Sequence, residues 1–164
     1  MKRGLAILFA LLLSGAVHAA DQAEDAAPPS VLNALPDAVG HLIDFAERQT
    51  GAAYRRGGIS PDSGFDCSGF VSYVFDHVEG ISLPHNARAM SMIGSRVGLA
   101  DLKPGDLVFF KILRRGISHV GIYIGGNRFI HAASTSTGSV MISDLSESYW
   151  ARHLALARRM VSGE

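Results

Sequence analysis

A single cysteine, Cys67, stands in a chain of 164 residues, so no disulfide within the chain is available to staple the fold. Charge of one sign is missing too. Fifteen basic residues face fifteen acidic ones, and no basic block or basic–aromatic interleaving points to nucleic acid or an anionic membrane. Long apolar runs are confined to the first twenty residues, where Leu5 to Leu13 is unbroken, Lys2 and Arg3 precede it, and Val17-His18-Ala19-Ala20 closes it. That is the tripartite pattern of a secretory signal. A spanning helix needs about 20 apolar residues, and this run stops short. Residues 1–20 are therefore expected to be removed on export, leaving a periplasmic or secreted protein. No cysteine near the cleavage point could carry a lipid, so no membrane attachment is expected after signal removal.

An unpaired thiol in an oxidising compartment has no structural return within the chain. Burial as a small hydrophobe is the bland explanation for it. The local sequence argues for a nucleophile instead. Asp66 is a good N-cap, and Val71, Val74, Phe75 and Val78 follow at helical spacing, which predicts a helix starting at Cys67. The thiol then sits in the first turn, among unpaired backbone N–H groups that stabilise a thiolate and offer donors to an oxyanion. Such surroundings lower a cysteine from about 8.5 to between roughly 3.5 and 7.5. His77, at the far end of this helix, reads as a surface or capping residue.

The eighteen glycines suit a turn-rich mixed fold better than a helical bundle. Residues 21–35 are polar and broken by proline, and read as a flexible leader. Residues 36–164 have the size of one domain. Pro36 is placed to open a helix whose apolar face is Val39, Leu42, Ile43 and Ala46, with Gly51 as its stop. Strand-like segments come later, at Leu107–Phe110, Ser118–Ile124 and Arg128–Ala133, with a basic loop, Arg114-Arg115-Gly116, between the first two.

In the second strand Val120, Ile122 and Ile124 alternate with His119, Gly121 and Tyr123, so His119 faces away from the main apolar row. If the loop to the third strand is residues 125–127, Gly121 faces His131, and His119 and His131 become diagonal neighbours on one face. A two-residue loop would put them on opposite faces. The spacing permits the constellation without forcing it. A zinc site built from Cys67, His119, His131 and Asp66 is the rival chemistry, but no short-spaced ligand pair supports it, and no metal or cofactor is expected.

Tyr54-Arg55-Arg56-Gly57-Gly58, Asp66-Cys67-Ser68-Gly69-Phe70, Leu102–Phe110, Ser118–Tyr123 and Ile130-His131-Ala132 fall in the order and spacing of the NlpC family of cell-wall cysteine peptidases, which the chain resembles from about residue 37 to 160. The resemblance implies an α+β fold of reduced papain-like type, with the nucleophile helix packed on a central antiparallel β-sheet. It implies cleavage of peptidoglycan stem peptides between the D-glutamyl γ-carboxyl and the diamino acid. Cys67 is then the nucleophile, His119 its base and His131 the polar third residue that orients the base. Tyr54 becomes an oxyanion or substrate donor, and Asp66 and Ser68 meet the free amine or backbone of the stem peptide. Peptidoglycan peptides are the implied partner. A non-hydrolytic wall-peptide binding module, and an amidase or acyltransferase using the same groups, are the alternatives.

The chain departs from the family pattern twice. Arg56 stands where an aromatic residue often precedes the glycine pair, and His85-Asn86-Ala87-Arg88-Ala89-Met90 follows Leu83-Pro84 where Arg, Thr or Ser and then Gln are common. Both stretches are expected to border the cleft. Tyr123, Trp150, His153, Arg158 and Arg159 read as structural.

Overall fold

The computed structural model of the protein describes residues 31–113, 116–133 and 138–160. The segment expected to be an export signal, residues 21–30 of the expected leader and Arg114-Arg115 lie outside the described residues. The first helix, α1 (Val31–Glu47), starts ahead of Pro36, so residues 31–35 are helical and not part of a leader. Its buried Leu42 and Ala46 face the second helix, α2 (Cys67–Glu79), and the Phe45 and Tyr73 rings stack between the two at 5.7 Å. His77 closes this surface cluster, its Nδ1–H donating to the Tyr73 carbonyl over 2.9 Å.

Helix α2 begins where its sequence says it should. Asp66 adopts an extended conformation and its carboxylate accepts the Gly69 N–H at 2.7 Å, satisfying one of the orphan donors of the first turn. Phe70, Val71, Val74 and Phe75 are fully buried, and Val78 is half-buried. A two-stranded antiparallel ribbon, β1 (Ile59–Ser60) with β2 (Gly64–Phe65), leads into the helix. The Gly58 carbonyl lies where any Cβ on Gly69 would have to go, so the ribbon can press on the helix start only because residue 69 is glycine.

Behind the helices stands a six-stranded antiparallel sheet. Its strands are β3 (Ser95–Val97), β4 (Leu107–Phe110), β5 (His119–Gly125), β6 (Arg128–Ala132), β7 (Val140–Asp144) and β8 (Leu154–Arg159), in the spatial order β3-β8-β4-β5-β6-β7. A short helix, α3 (Ala87–Met90), precedes β3, and another, α4 (Ser148–His153), precedes β8. Both faces of the sheet are covered, which is why the Leu107-Val108-Phe109-Phe110 run shows no polar alternation: all four residues are inaccessible to solvent. Leu107, Phe109, Val120, Ile122, Ile130 and Ala132 pack toward α1 and α2. Val108, Phe110, Phe129 and Ala157 form a second cluster on the opposite face, closed by Trp150 of α4. Strand β8 is pinned to the turn before β4 by Arg159, which grips the buried Asp106 carboxylate through two bonds of 2.7 Å.

The β5–β6 hairpin resolves the histidine register in a way the loop count did not anticipate. Gly125 pairs with Arg128, so the loop is the two residues Gly126-Asn127, and Ile124 is not paired with Arg128. The register shifts between Tyr123 and Gly125, however, leaving Ile122 opposite Ile130. One extra residue in β5 thus restores the pairing that a three-residue loop would have produced. His119 and His131 end on the same face. Gly121 sits between them, and a Cβ there would stand 2.7 Å from Phe129 Cδ2 and 3.2 Å from His131 Cβ.

Gly121→Ala should therefore destabilise the protein by about 1–3 kcal/mol, the usual cost of over-packing. Urea unfolding of the two proteins measures this, and an unchanged midpoint would show that the strands can separate without cost.

Candidate active site

The start of α2 and the start of β5 open onto one cleft of about 650 Å³. Cys67 and His119 both line it, with Tyr54, Asp66 and Ser68 beside them. The thiol is half-buried. Backbone N–H groups of Val120, Ser68 and Cys67 itself reach the sulfur and favour its charged form. The Val120 donor belongs to the strand that carries His119, so the contact also brings the helix start against that strand.

The two histidines are joined directly. His119 Nε2 lies 2.9 Å from His131 Nδ1, and His131 Nε2 lies 3.0 Å from the Ser143 hydroxyl on β7. Their planes are nearly perpendicular, at 87°. His131 is fully buried and His119 almost so. Trp150 lies over both rings, stacked on His119 at 5.6 Å and edge-on to His131 at 4.9 Å. With Nε2 committed to His131, Nδ1 is the nitrogen His119 has left for a proton from sulfur. Both nitrogens of His131 are also engaged in hydrogen bonds. Among the described residues no three of His, Cys, Asp and Glu converge as a cation site.

Burial reverses the expectation for the thiol. Loss of water around Cys67 pushes it up to about 11, with the neighbouring Asp66 charge adding to the rise and the backbone donors opposing it. Burial likewise lowers His119 to about 4, and burial with the adjacent His119 lowers His131 to about 3. Both shifts favour the neutral pair, with its proton on sulfur. Moving that proton to His119 creates two opposite charges, whose attraction in a poorly solvated cleft offsets much of the desolvation.

Asp66 does more than cap. Besides Gly69 N–H, its Oδ1 accepts the Ser68 hydroxyl at 2.9 Å, and its Oδ2 accepts the Gly57 N–H at 2.9 Å. A carboxylate has about four acceptor positions, so three are filled from within the protein. The Ser68 donor is spent on the same carboxylate. The Tyr54 hydroxyl is pushed up by partial burial, and then by Cys67 and Asp66 in their charged forms, so it remains a donor. Both departures from the family pattern line the cleft, Arg56 from the first and His85, Asn86, Ala87 and Arg88 from the second. Ile112, Leu113 and Ile117 form an apolar wall.

Sequence reading missed Ser143, because the strand that carries it has no strong alternation, and missed the placement of Trp150 against the histidines. The Val120 N–H could not be found from side-chain types at all.

A thiol at a helix start, set against an antiparallel sheet that presents a buried histidine pair, defines an α+β protein of papain-like fold. The NlpC/P60 family pattern matches residues 51–159, and the chain belongs to that family. It is 44% identical over 119 residues to a gamma-DL-glutamyl hydrolase of Bacillus subtilis, covering 72% of this chain and 28% of the relative. It is 39% identical over 163 residues to the probable endopeptidase NlpC of Escherichia coli, covering 98% of this chain and all of the relative. A solved NLP/P60-family structure from Staphylococcus aureus superposes with a TM-score of 0.69 at 37% identity, over 77% of this chain and 42% of that one. The chain spans between about a quarter and two thirds of the length of several relatives it matches, the B. subtilis protein among them.

The raised thiol predicts the alkylation profile of Cys67. Without substrate, its rate with iodoacetamide should be below that of free cysteine at pH 7 and should still be rising above pH 9, because thiolate is scarce until the medium approaches the raised value. Rates measured by mass spectrometry across pH decide the point. A plateau reached below pH 7 would mean a resting ion pair instead of a neutral one.

Proposed function

We propose that the protein is a cysteine endopeptidase that hydrolyses peptidoglycan stem peptides at the amide between the D-glutamyl γ-carboxyl and the diamino acid. The single observation that carries this reading is the buried His119–His131 contact at 2.9 Å, which leaves one imidazole nitrogen for the thiol in the same cleft. The names of the relatives, one a glutamyl hydrolase and one a probable endopeptidase, support the substrate class.

In this mechanism the Cys67 proton passes to His119 Nδ1 as sulfur attacks the amide carbonyl carbon. The tetrahedral oxyanion is met by the Cys67 N–H and the Tyr54 hydroxyl. Collapse breaks the C–N bond, and His119 returns its proton to the leaving amine. His119 then takes a proton from water as the water oxygen attacks the thioester carbon. Collapse breaks the C–S bond, and His119 returns the proton to sulfur, releasing the acid and the free thiol. His131 holds the imidazole in register throughout, as a carboxylate does in serine triads.

Recognition follows from the charges of the cleft. The last acceptor position of Asp66 and the oxygen of Ser68 suit the free amine of a short peptide. Arg56 and Arg88 are exposed in the cleft lining, and the ion pair among the described residues is Arg159 with Asp106, so both guanidinium groups are open to substrate carboxylates. The apolar wall suits alanine methyl groups. The Lys2-Arg3 and Leu5–Leu13 pattern supports a site of work outside the cytoplasm.

Cys67→Ala should abolish hydrolysis with the fold retained. His119→Ala should be nearly inactive, whereas His131→Ala should be impaired but measurable, with part of the loss recovered in His131→Asn through a restored acceptor. Turnover assays on stem tetrapeptides test the order, and equal activity in both alanine variants would contradict it. If Cys67→Ala binds peptide as the parent does and the parent cuts nothing, the protein is a binding module.

A free tetrapeptide should be cut faster than its N-acetyl form by roughly tenfold to a hundredfold. That range corresponds to losing a charged hydrogen bond of about 1.5–3 kcal/mol. Mass spectrometry of the products locates the bond cut, and a preference for intact sacculi would remove Asp66 as the amine anchor.

A further inference from the structure

The pairing of β6 with β7 sets Phe129 opposite Ser143 and His131 opposite Met141. Ser143 is therefore a diagonal neighbour of His131 on the same face, and its hydroxyl comes within 3.0 Å of Nε2. Both residues are buried, and aromatic rings occupy the surroundings: Phe129 stacks on His131 at 4.7 Å, and Trp150 lies across it. Three groups thus run in line from the cleft inward, His119 to His131 to Ser143.

The line has a direction. His119 can take a proton from sulfur at Nδ1 only if its existing proton is on Nε2. That proton donates to His131 Nδ1, which must then be unprotonated. The His131 proton is consequently on Nε2 and needs an acceptor, and the Ser143 oxygen is the group in reach. In the opposite tautomer His131 would donate from Nδ1, driving the His119 proton onto the nitrogen meant for the thiol. The base would be occupied.

We propose that Ser143 is a positioning residue that holds His131 with its proton on Nε2, and through it keeps His119 Nδ1 open as the base. The role rests on the proposed hydrolytic function for its kinetic consequence, but not for the tautomer itself. Without the hydroxyl, the Nε2–H of His131 is a buried donor with no partner, and the tautomer that blocks His119 becomes competitive.

Nitrogen-15 NMR of the imidazoles in the substrate-free protein at pH 7 reads the tautomer directly. The expected result is His131 protonated on Nε2 in the parent and a shift toward Nδ1 protonation in Ser143→Ala. In turnover assays Ser143→Ala should lower kcat by about 10- to 100-fold with KM unchanged. At about 1.4 kcal/mol per tenfold that range is about 1.4–2.8 kcal/mol, within the cost of an unpaired buried donor. Ser143→Thr keeps the hydroxyl and should recover most of the loss. His131 found with its proton on Nδ1 in the parent overturns the proposal with no variant needed. So does a folded Ser143→Ala protein with parental kcat and tautomer. If no peptide is hydrolysed by the parent, the functional reading fails while the tautomer measurement still decides the role of Ser143.

Discussion

The Asp66 carboxylate ties the cleft together, because it takes the Gly69 and Ser68 donors of α2 and the Gly57 donor of the preceding loop at once. The first two bonds start α2 at Cys67. The third draws the loop after Tyr54 against that start, so the tyrosine shares the cleft with the thiol. Gly69 makes the approach sterically feasible. A change at Asp66 would thus loosen the helix cap and the cleft wall together, so its effects on stability and on chemistry cannot be read as separate contributions.

Burial then sets the electrostatics. A helix start alone would favour a thiolate, but desolvation is the larger effect here, and it acts in opposite senses on the thiol and on the imidazoles. Both shifts favour the neutral form of each member, and one proton moving between them gives the charged pair. The donors around the sulfur and the aromatic rings around the histidines are fixed before any substrate arrives. Little reorganisation is left for the reaction to drive.

The two departures from the family pattern occupy one region of space although they are distant in sequence. Arg56 precedes the ribbon and Arg88 lies on α3, yet both line the cleft beside Asp66. The cap that places the thiol and the two arginines of the surrounding wall thus meet in one cleft. Asn86 shows how the difference is accommodated: its side chain accepts the Ala89 N–H at 3.0 Å and starts α3, while Met90 at the other end is fully buried.

By itself the sequence determined what depends on neighbours along the chain. The Asp66 cap, the span of α2 and the buried run of β4 follow from residue type and spacing, because capping bonds and apolar periodicity are local. The papain-like fold was legible from motifs in order. What only the tertiary structure decided depends on contacts between distant segments. The extra residue in β5 that sets His119 beside His131 is a property of pairing between strands, since a count of loop residues does not reveal a bulge. Ser143 and Trp150 reach the histidines from β7 and α4, elements whose short patterns carry no signal of their own. The state of the thiol was decided in the same way. Sequence shows a helix start, but how much water remains around a sulfur atom is settled only when β5 closes over it.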